Sequence, residues 1–185
     1  MATDPSSLQI VHYPDPVLRR RAEPVDEVND EVRTVIDRMH VLREQAEGIG
    51  LAAPQVGLAW RLFVVDVPEG DGRSADDDPP TASRGPMAFV NPELIEPMGE
   101  LESMGEGCLS LPDITGDVVR PPSIVVRALD RDGQAFTMRA EGLLGRCFQH
   151  EFDHLEGVLI IDKMGQMDRL RNRSAIRSLE REARR

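Results

Sequence analysis

Apolar residues at Val25, Val28, Val32, Val35, Ile36, Met39, Leu42 and Ala46 recur at the steps of one helix face, so the spacing predicts an amphipathic helix over Val25–Ala46 that stops near Gly48. Leu62–Val67 is a continuous apolar run broken only by Asp66, which reads as a buried strand. The segment after it, EGDGRSADDDPPTASRGP, is acidic, proline-rich and nearly free of large apolar residues, which predicts a surface-loop insertion at 69–86. Two strand-like runs, Ile124–Leu129 and Gln134–Met138, flank the turn signal DRDG and predict a hairpin. Helical spacing returns over Gly142–Leu155, with Gly157 as its stop before the short apolar run Val158–Ile161. Near the end, Met167, Leu170, Ser174, Ile176 and Leu179 form only a partial apolar stripe, which predicts a loosely docked C-terminal helix at 166–185. Strands and helices in this mixed order predict an α+β fold, and no internal repeat is visible.

Composition narrows the function. At 185 residues, of which 40 % are hydrophobic, the chain suits a single domain over 1–185 with one real core. A formal net charge of −11 and a pI near 4.8 argue against DNA or other general nucleic-acid binding, because phosphate contacts need a basic face. The tail is an exception. From Asp168 onward, Arg169, Arg171, Arg173, Arg177, Arg181, Arg184 and Arg185 outnumber Asp168, Glu180 and Glu182. The start, MATDPSSLQI, has no basic segment leading into a long apolar one, and no later run reaches the ~18 apolar residues of a membrane span, so a cytoplasmic protein without a membrane partner is expected. Its 2 cysteines, Cys108 and Cys147, suit metal or catalytic chemistry better than a disulfide.

The stretch QHEFDHLEG places His150 and His154 four residues apart, hence on one face of a helix, with Glu151 projecting beside them. Two imidazoles can hold one ion there, and the carboxylate can reach water on it. The bland alternative is a surface helix that happens to carry two histidines. It is weakened because the chain has only 4 histidines and this helix is flanked by Leu143, Leu144, Cys147 and Phe148. An open catalytic site needs a third protein ligand. Cys147 shares the helix but lies about 10 Å from His154 along the axis at ~1.5 Å per residue, too far for a short side chain. Cys108, in EGCLS, is the better ligand, and Gly107 lets another backbone approach there. Cys147 is then a small wall residue. A third stretch, GIGLAAPQ, carries two glycines that permit close backbone approach and Gln55, whose amide can donate to a developing oxyanion. Alone, it would read as a glycine-rich turn.

Together GIGLAAPQ, EGCLS and QHEFDHLEG, in this order, closely resemble the three signature motifs of the peptide deformylases. The resemblance runs from HYPDPVLRRRAEPV through DRDGQ to the helical C-terminus. It implies that Cys108, His150 and His154 bind a divalent metal, Fe²⁺ first with Zn²⁺, Ni²⁺ or Co²⁺ as alternatives, and that Glu151 is the general acid/base. It also implies that Gln55 and the Leu109 N–H stabilise the oxyanion. The Gly48, Ile49, Gly50 segment and Gly107 would line the substrate groove, with Ile49, Leu143 and Cys147 around a methionine pocket. The expected architecture is thus mixed and antiparallel sheets packed around a central metal-binding helix, with a further helix near each end. Its substrates would be N-formylmethionyl nascent peptides, and the basic C-terminal helix would dock to the ribosome near the exit tunnel, as in some relatives. The sequence departs from the family pattern at Arg146, where an apolar residue is common, at Thr115, and before Arg120. Arg146 bears on the depth of the methionine pocket. A zinc endopeptidase shares the His-Glu-x-x-His helix, but downstream of His154 only Glu156 and Asp162 stand, in no matching motif. A non-catalytic N-terminal-peptide binding module would not need Glu151, and a structural metal site would be closed by four protein ligands.

Overall fold

Helix α1 (Asp30–Gln45) begins later than the apolar spacing predicts because Asn29 caps it, accepting the Val32 N–H at 3.1 Å. Val25 keeps the helical spacing but not the helix, since the Asn91 side chain bonds both its N–H and its C=O at 2.8 Å. The computed structural model describes residues 4–183, so Arg184 and Arg185 of the basic tail lie outside the described residues.

Among the described residues, seven strands follow α1: β1 (Gly50–Ala52), β2 (Leu62–Val65), β3 (Met87–Met98), β4 (Glu102–Cys108), β5 (Leu111–Arg120), β6 (Ser123–Leu129) and β7 (Ala135–Glu141). Five form an antiparallel sheet in the order β1-β2-β3-β6-β7, with the DRDG turn joining β6 to β7 as expected. The remaining pair, β4 and β5, is a separate antiparallel hairpin. Strand β2 stops before the predicted Val67, whose N–H is taken by the Ser83 hydroxyl at 2.9 Å. The acidic segment after it has no helix or strand of its own, though Ala82 and Ser83 at its far end are buried.

Alternation along β2 splits the core between the two faces of the larger sheet. Leu62 and Val64 join Val35, Ile36 and Met39 of α1, whereas Phe63 joins the face covered by helix α2 (Gly142–Leu155). There Phe148 lies 4.7 Å from Phe89, which stacks on Phe63 at 4.7 Å. Full burial of each ring contributes about 1.5–3 kcal/mol. A third cluster lies under the hairpin, where Leu111, Ile114 and Val118 meet Leu159, Ile160 and Met164 around helix α3 (Ile160–Lys163). Helix α2 therefore stands between the two sheets, as the resemblance implies.

Helix α4 (Gln166–Glu182) buries Ala175, Ile176 and Leu179 only partly against the third cluster and leaves Met167 and Leu170 exposed. Its polar side chains hold it more firmly than the apolar stripe predicts. Asn172 donates to the Thr115 carbonyl at 2.7 Å, Asp168 accepts the Asp117 N–H at 3.0 Å, and the Tyr13 hydroxyl donates to Glu180 at 3.1 Å. The first two occupy the edge of β5 that β4 leaves unpaired. No helix among the described residues is long and apolar enough to cross a membrane.

Candidate active site and metal centre

Helix α2 presents Cys147, His150, Glu151 and His154 toward one cavity of about 400 Å³ or directly behind it. The rings of His150 and His154 are 5.1 Å apart. Cys108 arrives from the end of β4, where the register with β5 shifts and turns its thiol inward. Its Sγ lies 3.3 Å from His154 Nε2, and the donor atoms of Cys108, His150 and His154 all fall within 4.8 Å of one another. Cys147 stands outside this group, with its thiol buried 3.7 Å from the Ile49 carbonyl. The geometry thus favours the thiol preferred from the sequence.

One thiolate and two imidazoles converging beside an open cavity suit a tetrahedral divalent ion with one position left for water. The surroundings fit as well, because His150 Nδ1 is engaged by Glu106 at 3.0 Å and leaves its other nitrogen for a ligand. Glu106 is the functional residue that sequence reasoning missed. It stands in the quoted EGCLS motif, but its partners come from distant segments. Arg120 clasps it through two nitrogens at 2.6 and 2.8 Å, Arg146 donates at 2.9 Å, and Arg120 also reaches Asp153 at 2.7 Å. Burial alone would raise the Glu106 pKa, but hydrogen bonds from Arg120 and His150 outweigh it and hold the carboxyl well below its usual range. Arg146, the departure noted in the sequence, does not project a free charge into the pocket. It is 6 % exposed, and its two terminal nitrogens donate to Glu106 and to the Val118 and Glu102 carbonyls.

Glu151 has the opposite surroundings. It is 4 % exposed, Oε2 has no hydrogen-bond partner among the described residues, and burial pushes its pKa up to about 7, with His150 and Arg120 opposing the shift. A carboxyl poised there can take and return a proton near neutral pH. Gln55 is fixed by the Ala52 N–H, which bonds its Oε1 at 2.8 Å, so its NH₂ group points to Cys108 Sγ at 3.6 Å and Ser110 Oγ at 3.4 Å.

The cavity walls explain the glycines. A Cβ on Gly50 would lie 2.3 Å from Glu151 Oε1 and 2.8 Å from Cys147 Sγ, and one on Gly48 would lie 2.7 Å from the Leu109 side chain. Arg43, buried on α1, steadies this segment by donating to the Gly48 carbonyl at 2.6 Å and to Asp66 at 3.0 Å. Gly48, Ile49, Gly50 and Gln55 line one side, Gly107, Cys108 and Leu109 another, and Leu143, Cys147, His150 and Glu151 a third. His154, 1 % exposed, sits behind them. All the residues selected from the sequence meet here.

The family model described as polypeptide deformylase matches residues 7–170. The chain belongs to the polypeptide deformylase family. It is similar to the peptide deformylase of Halothermothrix orenii, 46 % identical over 157 residues that cover 85 % of this chain and 93 % of the relative. A plant peptide deformylase structure superposes with a TM-score of 0.87 at 35 % identity, covering 99 % of this chain and 94 % of that one. The Ehrlichia chaffeensis peptide deformylase gives 0.85 at 33 %, covering 96 % and 97 %. As a peptide deformylase, the chain is a metal-dependent hydrolase that removes the N-formyl group from formylmethionyl peptides. The endopeptidase reading falls with that membership.

Proposed function

We propose that Glu151 is the general acid/base of this deformylase, with Cys108, His150 and His154 holding the ion and Gln55 and the Leu109 N–H receiving the oxyanion. The observation that carries the reading is a buried Glu151 carboxyl whose Oε2 has no hydrogen-bond partner among the described residues, beside three converging metal-type donors at one cavity. When bound, a divalent ion would supply a Lewis acid that makes water easier to deprotonate and stabilises negative charge on the formyl oxygen. Glu151 takes the proton of that water as its oxygen adds to the formyl carbon, and Gln55 Nε2 donates to the oxygen that becomes negative. Glu151 then delivers the proton to the methionyl nitrogen, the C–N bond breaks, and formate leaves from a peptide with a free N-terminal amine. Edge strand β1, with the Gly48–Ile49 segment that leads into it, offers backbone to an extended peptide, and Ile49, Leu143 and Cys147 offer an apolar wall to the methionine side chain. The donor set suits Fe²⁺, with Zn²⁺, Ni²⁺ and Co²⁺ as chemical alternatives.

The test is Glu151→Gln, which keeps the side chain's shape and cannot accept the proton. With formyl-Met-Ala-Ser, kcat should fall by at least about 10²-fold while metal content stays stoichiometric. Near-normal formate release would remove Glu151 from the mechanism.

We also propose ribosome docking through α4. Arg169, Arg173, Arg177 and Arg181 repeat every four residues along it, all exposed and none in an ion pair among the described residues. Self-pairing along the helix is confined to Arg171 with Asp168 at 2.8 Å among the described residues, while Glu180 accepts from Tyr13 and Glu182 from Ser178. A single domain over 1–185, with 69–86 as a surface insertion and a cytoplasmic location, completes the proposal.

A further inference from the structure

The metal-type donors straddle a seam between two packing units. His150 and His154 ride on α2, whose apolar face is buried against the five-stranded sheet, whereas Cys108 packs with the cluster under the β4–β5 hairpin. Helix α2 packs broadly on β1, β6 and β7 but only sparsely on β4 and β5. Apolar packing therefore does little to fix Cys108 relative to the histidines, and polar ties across the seam must do it.

Arg146 makes three of those ties from one guanidinium. It donates at 2.9 Å to Glu106 Oε1 and to the Glu102 carbonyl on β4, and at 2.9 Å to the Val118 carbonyl on β5. It thus pins both strands of the hairpin to the helix that carries the histidines. The same contact reaches His150, because Glu106 Oε1 is held by Arg120 and Arg146 while Oε2 accepts from His150 Nδ1. We infer that Arg146 is a positioning residue for the metal-binding triad, setting the distance from Cys108 to His150 and His154 across the seam. The inference rests on the reading of those three residues as the ligands. A planar fork of donors can meet three separated acceptors at once, whereas a lysine ammonium is a point charge on a flexible stem, and an apolar residue leaves both carbonyls without this donor.

The experiment compares Arg146→Met and Arg146→Lys with the parent, and uses Arg61→Met as a stability control. Arg61, just before β2, is paired at 2.7 Å with Glu156, just after α2, and neither side chain bonds to Glu106, Cys108, His150 or His154. Co²⁺ affinity is measured by competition with a chromophoric chelator, together with the visible Co²⁺ spectrum, the thermal midpoint of metal-free protein, and kcat and KM on formyl-Met-Ala-Ser. Arg146→Met should weaken Co²⁺ binding at least about tenfold and alter the Co²⁺ spectrum, the range expected when a group behind a ligand is lost. KM should stay within about threefold, because an unbranched side chain still lines the cavity, and Arg146→Lys should recover part of the affinity. Arg61→Met should lower the thermal midpoint with Co²⁺ affinity unchanged. Parent-like affinity in Arg146→Met, or an equal loss in Arg61→Met, overturns the inference. If the Met variant does not fold, the Lys variant decides: parent-like affinity and spectrum overturn the inference, and a weakened, altered site upholds it. A parent whose Co²⁺ spectrum lacks a thiolate-to-metal band overturns the ligand reading, and this inference with it.

Discussion

Adding one methyl group at Gly50 separates catalytic geometry from backbone conformation. Gly50 lies in β1 and is not among the residues with positive φ, so alanine meets no backbone penalty there. All the conflict is lateral, with the new Cβ 2.3 Å from Glu151 Oε1 and 2.8 Å from both Glu151 Cδ and Cys147 Sγ. Ordinary van der Waals contact begins at 3.4 Å, so the carboxylate must withdraw by roughly 1 Å. The cavity gives it somewhere to go, but not to the position from which the proposed mechanism has it serve water and substrate. A misplacement of about 1 Å can cost about 10²-fold, which is about 2.7 kcal/mol in the barrier, and overpacking can destabilise the fold by about 1–3 kcal/mol. Gly50→Ala should therefore lose about 10²-fold in kcat on formyl-Met-Ala-Ser while staying folded and metal-loaded. Gly48→Ala should lose less than about tenfold, because the one contact of its Cβ shorter than 3.4 Å is with the end of the flexible Leu109 side chain. The two effects separate chemistry from crowding. A folded, metal-loaded Gly50→Ala enzyme with kcat within threefold of the parent would refute the argument.

Cys108→Ser should abolish stoichiometric metal binding and nearly all turnover, whereas Cys147→Ser should retain the metal, and elemental analysis beside formate release reads both. His40 sets a pH limit on stability. Burial, reinforced by Arg43 and opposed by Asp66 and Asp37, pushes its pKa below the ordinary 6.5, so below that pH the unfolded chain binds more protons than the folded one. Stability should fall as pH drops from about 6.5 through the lowered folded value, and urea midpoints at pH 7.5 and 5.5 should fall less for His40→Gln than for the parent. An equal fall in both would clear His40. Replacing Arg173, Arg177 and Arg181 together by Gln should weaken cosedimentation with ribosomes and flatten its dependence on salt, leaving formate release unchanged. Unaltered binding would exclude α4 as the dock.

The sequence makes α2 legible because its apolar face, its histidine pair and its closing glycine all agree on one period. Cys108 is legible for a different reason: Cys147 is too far along the same helix to compete. Strands β3 and β4 are hidden. Met87–Met98 holds two prolines and two register shifts against β6, and Glu102–Cys108 has no alternation of apolar residues to read. Strand β5 does alternate, but its buried positions include Gly116 and Arg120, which a pattern of hydrophobicity does not select. The start of α1 is misplaced because Val25 and Val28 fit the helical period while Asn29 and Asn91 decide the backbone. Least visible is the Glu106, Arg120, Arg146 and Asp153 cluster, since charged residues read as surface until their partners, from separate elements, are known.

The fastening of α4 along β5 bears on the solubility of the chain as much as on docking. A two-stranded hairpin has two open borders, and an unpaired border is a template on which a second chain can lay its own backbone. By filling the Thr115 carbonyl and the Asp117 N–H, Asn172 and Asp168 remove two of the places where such growth could begin. The last helix therefore acts as a selvedge that keeps the hairpin from unravelling into sheet with its neighbours. Its arginines can vary with whatever surface the enzyme must approach, provided that the aspartate and asparagine beneath them stay.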